Sequence, residues 1–146
     1  MKWFGRLVYL IVFLLVSFSS HVEAHKLQPA YLEINEHTAG TFNILWKRPL
    51  VGNMPMNIYP QLPEKCSNIT EPSINPSQSF ALERWLVDCG ENGLTNETIV
   101  IDGLSATQTD TLLRIELADG SMHTTLLRPD SPSFVVPEKP SKTKVA

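Results

Sequence analysis

Asp119-Gly120 stands between two apolar-alternating runs in the stretch DTLLRIELADGSMHTTLLR, Asp110 to Arg128. An Asp-Gly pair in that setting signals a hairpin, because glycine reaches the positive φ that a tight turn requires. Read with a two-residue loop, the register sets Leu113 opposite Leu126, Ile115 opposite Thr124 and Leu117 opposite Met122. These residues share one face, and all but Thr124 are apolar. Arg114 and Glu116 then lie opposite Thr125 and His123 on the other face. A ribbon with one apolar and one polar side needs a second layer to cover the apolar one.

The same alternation recurs nearer the N-terminus. Leu32 and Ile34 alternate with Glu33 and Asn35, and Phe42, Ile44 and Trp46 occupy one face of the run from Thr41 to Lys47. His37-Thr38-Ala39-Gly40 lies between them as a turn, so the two runs predict a first hairpin. From Arg48 to Ser79 the texture changes: Pro49, Pro55, Pro60, Pro63, Pro72 and Pro76 all fall here. Proline donates no ladder hydrogen bond, so no central strand is expected through most of this segment. A short edge strand within Met54 to Leu62 is expected, followed by a surface loop over Ser67 to Ser79. Phe80 to Cys89 fits neither the helical nor the strand period cleanly. A strand is the better reading, given its β neighbours. Thr98 to Ile101 is a β-branched run, and Ser133 to Val136 is a last short strand.

Residues 1–24 read as a secretory signal peptide rather than as part of the fold. Lys2 and Arg6 precede an apolar run from Leu7 to Val16, and Val22-Glu23-Ala24 offers a cleavage site. A bilayer span takes about 20 apolar residues, more than this run holds. An uncleaved anchor is the alternative. Cleavage after Ala24 makes His25 the mature N-terminus. The net charge of -3 comes without a basic cluster, so nucleic acid is not an expected partner. Cys66 and Cys89 are the only two cysteines, and behind an export signal they are expected to form one disulfide.

Residues 25–137 are therefore expected to form an all-β domain, an antiparallel immunoglobulin-like β-sandwich of seven to eight short strands. Residues 138–146, charged and carrying Pro140, read as a linker.

Several stretches, taken in order, resemble a family. They are AHKLQPAYLEI from Ala24, WKRPLVGNMPMNIYPQLPEKC from Trp46, GLSATQTDTLLRIELADG from Gly103 and PDSPSFVVPEKPS from Pro129. Together these resemble the N-terminal extracytoplasmic region of bacterial HupE/UreJ-type membrane proteins, named for hydrogenase and urease accessory functions. The resemblance implies an exported domain, in the periplasm or on the outer face of the membrane. It also implies a partner: the membrane region of the same family or a neighbouring membrane protein. In that family a bundle of membrane helices follows the segment matching VVPEKPS, and the tail to Ala146 reads as the linker toward such a region, missing here. The family's suggested metal transport, usually of nickel, belongs to residues of that bundle, and none carries over to this sequence.

Candidate chemistry is sparse. A mature His25 offers an α-amine and an imidazole nitrogen, a donor pair suited to copper(II). A tight site needs a further histidine, and His123 or His37 are the choices. His123 is equally well explained as a cross-strand partner of Glu116, and His25 as an ordinary chain end. Trp46 and Trp85 are candidates for stacking on a sugar, although a tryptophan on an alternating strand beside a disulfide fits a sandwich core. Lys47 and Arg48 read as a solvated edge. No GxSxG, HExxH or phosphate-cradling loop is present, so no enzyme is expected, and any small-molecule ligand stays unnamed. The expectation is a non-catalytic accessory or sensing domain, with a free periplasmic copper-binding protein as the alternative.

Overall fold

A computed structural model describes residue 1, residues 3–9 and residues 28–138. The proposed cleavage site, His25 and nearly all of the tail lie outside the described residues. Residues 3–9 are helical. Among the described residues no helix is long and apolar enough to cross a membrane.

The protein is an all-β sandwich of two sheets. Its strands are β1 (Ala30–Thr38), β2 (Thr41–Val51), β3 (Met54–Pro55), β4 (Tyr59–Gln61), β5 (Ser67–Asn68) and β6 (Ser73–Pro76). Then come β7 (Phe80–Asp88), β8 (Thr98–Asp102), β9 (Thr111–Glu116), β10 (Met122–Leu127) and β11 (Ser133–Val135). The large sheet runs β10-β9-β1-β2-β7-β5, with β3 added to β2 and β6 to β7. The small sheet runs β11-β8-β4.

Alternation explains the long strands. Leu32, Ile34, Phe42, Ile44 and Trp46 face inward and are buried. They meet Ile99 and Ile101 of the small sheet, with Ile58, Leu94 and Leu104 completing one core. The turn between β1 and β2 closes at Thr38 opposite Thr41, and Gly40 takes φ +80°. A Cβ on Gly40 would collide with the Gly90 carbonyl oxygen, so both the backbone angle and the space demand glycine. Gly40→Ala is expected to cost at least about 1–3 kcal/mol, the range for a strained backbone position, read as a lower midpoint in urea denaturation.

The structure corrects the sequence reading in several places. Eleven strands, not seven or eight, are formed among the described residues. The excess lies in the proline-rich segment, where β3 to β6 are two to four residues long and sit at sheet margins. Ser67 to Ser79 is on the surface as expected, yet it is not simply loop: β5 and β6 both pair with the outer edge of β7. The large sheet is also not purely antiparallel. β9 lies parallel to β1, with Leu32 beside Leu113 and Ile34 beside Ile115. The chain leaves the large sheet for β8, crosses back through a single 3-10 turn at Leu104–Ala106, and meets the free edge of β1 running in the same direction.

The β9–β10 register is shifted by one residue from the expected one. Leu113 faces Thr125, Ile115 faces His123 and Glu116 faces Met122. The cause is the turn. Gly120 N donates to Leu117 O, Leu117 N donates to Ser121 O, and Gly120 adopts φ +84°. That is a three-residue loop with a glycine bulge rather than a two-residue loop. Because side chains alternate, one extra residue moves each β10 side chain to the opposite face.

Candidate functional site

A cleft of about 390 Å³ opens between the large sheet and the proline-rich segment. Trp46 of β2 and Glu83 and Trp85 of β7 line one side, with Tyr59, Gln61 and Glu64 on the other. Strand geometry puts the first group together: Trp46 is paired with Glu83, and Ile44 with Trp85, all on the inward face of the sheet. Pro60, Pro63 and Pro72 belong to the rim, where their fixed φ stiffens the chain. Cys66 also lines the cleft and is joined by a disulfide to Cys89, just after β7. Lys65 Nζ adds a half-exposed ion pair, 2.7 Å from Glu97 Oε1. The rim is thus tied covalently to the end of β7.

Beneath the rim lies a charge pair in an otherwise apolar layer. Arg48 Nη2 is 2.7 Å from Glu83 Oε1, and both side chains are more than nine-tenths buried. Arg48 Nη1 donates to the Met56 carbonyl at 3.2 Å, and the guanidinium carbon lies 4.4 Å from the Tyr59 ring centroid. Arg48 is therefore not the solvated edge expected from Lys47-Arg48. Lys47 points the other way and lies over the Phe80 ring at 4.3 Å. The arginine enters the core because β2 continues its alternation through Arg48, and Glu83 stands ready on the neighbouring strand to receive it.

The polar demands of this layer are not fully met. Trp46 Nε1, Arg48 Nε and Glu83 Oε1 have no hydrogen-bond partner among the described residues. For Glu83 Oε1 the arginine contact is a close charge pair without hydrogen-bond alignment, so acceptor capacity remains. Buried polar atoms are nearly always paired, and each exception calls for a physical account.

A second polar cluster lies on the outward face of the large sheet. Tyr31 Oη donates to Glu33 Oε2 at 2.5 Å, and Asn35 Nδ2 donates to Glu33 Oε1 at 2.7 Å. The tyrosine hydrogen bond holds the Glu33 carboxyl below its ordinary range, against an opposing push from burial, with Asn35, Arg114 and Arg84 adding to the lowering. Burial raises the Tyr31 hydroxyl, with the hydrogen bond to Glu33 and its charge acting in the same direction. A depressed carboxyl stabilises the fold above its unfolded value, and the benefit is lost as pH falls through the folded value. Glu33→Gln is accordingly expected to flatten the acid limb of a stability–pH profile measured by urea midpoints, and also to lessen the alkaline limb, because the Glu33 charge is one of the causes that raise Tyr31.

The residues singled out from sequence are dispersed. Cys66 and Cys89 come together as the disulfide. Trp46 is fully buried, the core position expected, while Trp85 is partly buried, and both line the cleft. His123 does not face Glu116 across the solvent side. It pairs with Ile115 on the inward face, and its ring centroid lies 6.4 Å from that of Phe134 in the small sheet. His37 is exposed. Among the described residues no three His, Cys, Asp or Glu gather as a metal site. Glu83 and Arg48 were missed as a site, although a Glu and an Arg at inward positions of adjacent strands are a readable signal once the register is known.

Comparison with family models, with curated proteins and with solved structures finds no match to this chain.

Proposed function

We propose that the protein is a non-catalytic accessory or sensing domain that works outside the cytoplasm, as the extracytoplasmic part of a HupE/UreJ-like membrane protein, and that the cleft beneath Tyr59 is its ligand site. The observation that carries this reading is the disulfide between Cys66 and Cys89, which ties the rim of the cleft to the large sheet. Disulfides persist in oxidising compartments, and this one is compatible with export. The apolar leader from Leu7 to Val16 supports the same location, and the ordered resemblance from Ala24 to Ser141 supports the membrane partner. A cleft with aromatic walls and a few convergent polar groups is the usual form of a small-molecule site.

Protease treatment of spheroplasts from bacteria making the full chain tests the location. The reading predicts digestion of the protein while the cell membrane is intact. Protection until the cells are lysed would place the domain in the cytoplasm and contradict it. The membrane partner is tested separately, by crosslinking in native membranes: recovery with a polytopic membrane protein supports it, and recovery of the free chain alone overturns that part.

A further inference from the structure

We propose that the outer edge of β10 pairs with the same edge of a second copy, antiparallel about Thr124, so that two large sheets join into one. The pairing is independent of what the cleft holds and of where the protein resides.

An unpaired sheet edge invites other strands, and proteins guard such edges with proline, charge, bulges or shortness. Among the described residues the outer strands of this sandwich are guarded, with one exception. β3, β4 and β6 contain Pro55, Pro60 and Pro76, β11 directly follows Pro132, and β5 is two residues long. β10 ends the large sheet. It is six residues long, MHTTLL, with no proline and no Lys, Arg, Asp or Glu. Its register against β9 runs without a break from Met122 to Leu127.

The hydrogen-bond phase of the hairpin sets what that edge offers. Leu117 N donates to Ser121 O, so these two residues form a hydrogen-bonded pair. Such pairs alternate along an antiparallel ladder, which leaves His123, Thr125 and Leu127 bonded to β9. The N–H and C=O groups of Met122, Thr124 and Leu126 then point away from β9. Among the described residues none of these groups has another backbone partner.

The side chains of the same residues select the occupant. Met122 is 53% exposed and Leu126 41%, beside Leu112 at 36% on β9. Residues opposite one another across a ladder share a face, so a two-fold axis has few positions available. Centred on Thr124, it sets Met122 opposite Leu126 of the second copy and Leu126 opposite Met122 of that copy. The six free backbone groups fall in phase. Leu112, Leu126 and the second copy's Met122 then form one apolar row across the joined sheet. Centred on Thr125 instead, the axis would set Met122 opposite the exposed Arg128. Charge does not oppose the first arrangement. Arg114 pairs with Thr124, so the two copies of Arg114 stand three strand spacings apart, about 14 Å, beyond the screening length of about 8 Å. A second copy matches the edge by symmetry alone, as the self-complementary patch of a two-fold dimer must. A contact of one strand edge is small, so the dimer is weak and forms with rising concentration.

Sedimentation of the oxidised full chain over rising concentrations reads the association. A monomer–dimer equilibrium that stops at the dimer is expected. Thr124→Lys and Thr124→Pro are each expected to weaken it at least tenfold. Both alter an exposed position whose N–H lies outside the β9 ladder, and thermal melting confirms that each variant is folded. Cysteine crosslinking reads the register. Thr124→Cys is expected to link to its own copy under mild oxidation, since facing hydrogen-bonded residues stand about 5.5 Å apart between Cα atoms. Met122→Cys and Leu126→Cys should link when mixed, and much more slowly when each is alone. A monomer at every concentration up to millimolar would overturn the proposal. So would association undiminished in the folded Thr124 variants, or Met122→Cys linking to itself as readily as Thr124→Cys.

Discussion

Glu83→Ala is expected to cost about 3–5 kcal/mol of folding stability, the range for removing one partner of a buried charge pair. The loss comes less from the attraction forgone than from what stays behind. Arg48 would remain in a layer where it is 6% exposed, holding only the Met56 carbonyl and the Tyr59 face. The discriminating comparison is the double variant Arg48→Met, Glu83→Leu. Both charges are then gone and apolar side chains of similar length fill the layer, so most of the lost stability should return. Urea denaturation of the parent, the single and the double variant measures both effects. If the single variant is as stable as the parent, the pair is not buried as described.

Replacing Cys66 and Cys89 together with serine is expected to lower stability by about 3 kcal/mol, the chain-entropy value for a loop of this size. The residues are 23 apart in sequence. The closed loop contains the whole rim after Cys66 and all of β7, so the constraint acts where secondary structure is weakest. β5 and β6 are exposed throughout and short, and they have few apolar contacts to hold them against β7. Loss of the disulfide should therefore raise hydrogen exchange first in Ser67 to Pro76, ahead of the β1–β2 hairpin. A uniform rise across the sandwich would mean that the bridge supports the global fold rather than the rim.

How far the fold was legible depends on where each pattern was interrupted. β1 and β2 were legible because five inward positions carry Leu32, Ile34, Phe42, Ile44 and Trp46 without a break, and the turn between them holds a glycine where one is required. β7 was ambiguous for a physical reason. Its inward positions are Ala81, Glu83, Trp85 and Val87, so a charged residue sits in the middle of the buried row. Alternation assumes that carboxylates face water, and Glu83 faces Arg48 instead. The same assumption misread Arg48 as an edge cation.

The hairpin at Asp119-Gly120 shows a different limit. Its existence was plain, but two-residue and three-residue loops use the same Asp-Gly pair and differ only in hydrogen bonding. Choosing between them moves His123 from the solvent to the inward face, beside Phe134. The parallel pairing of β1 with β9 was not legible at all, since nothing in either strand names a partner some 80 residues away. The disulfide was legible from the count of two cysteines together with the expected export signal. The cleft was not, because it depends on the fold of the proline-rich segment over β2 and β7, and that segment lacks the periodicity from which structure is read.

The claim on which the rest depends is that this sandwich forms in an oxidising compartment with its rim bonded to β7. Blocking thiols with an alkylating reagent in intact cells, followed by peptide mass spectrometry of the recovered protein, tests it directly. The account predicts one peptide pair linked through Cys66 and Cys89, with neither sulfur alkylated. Recovery of both cysteines as alkylated, unlinked thiols from folded protein would contradict it.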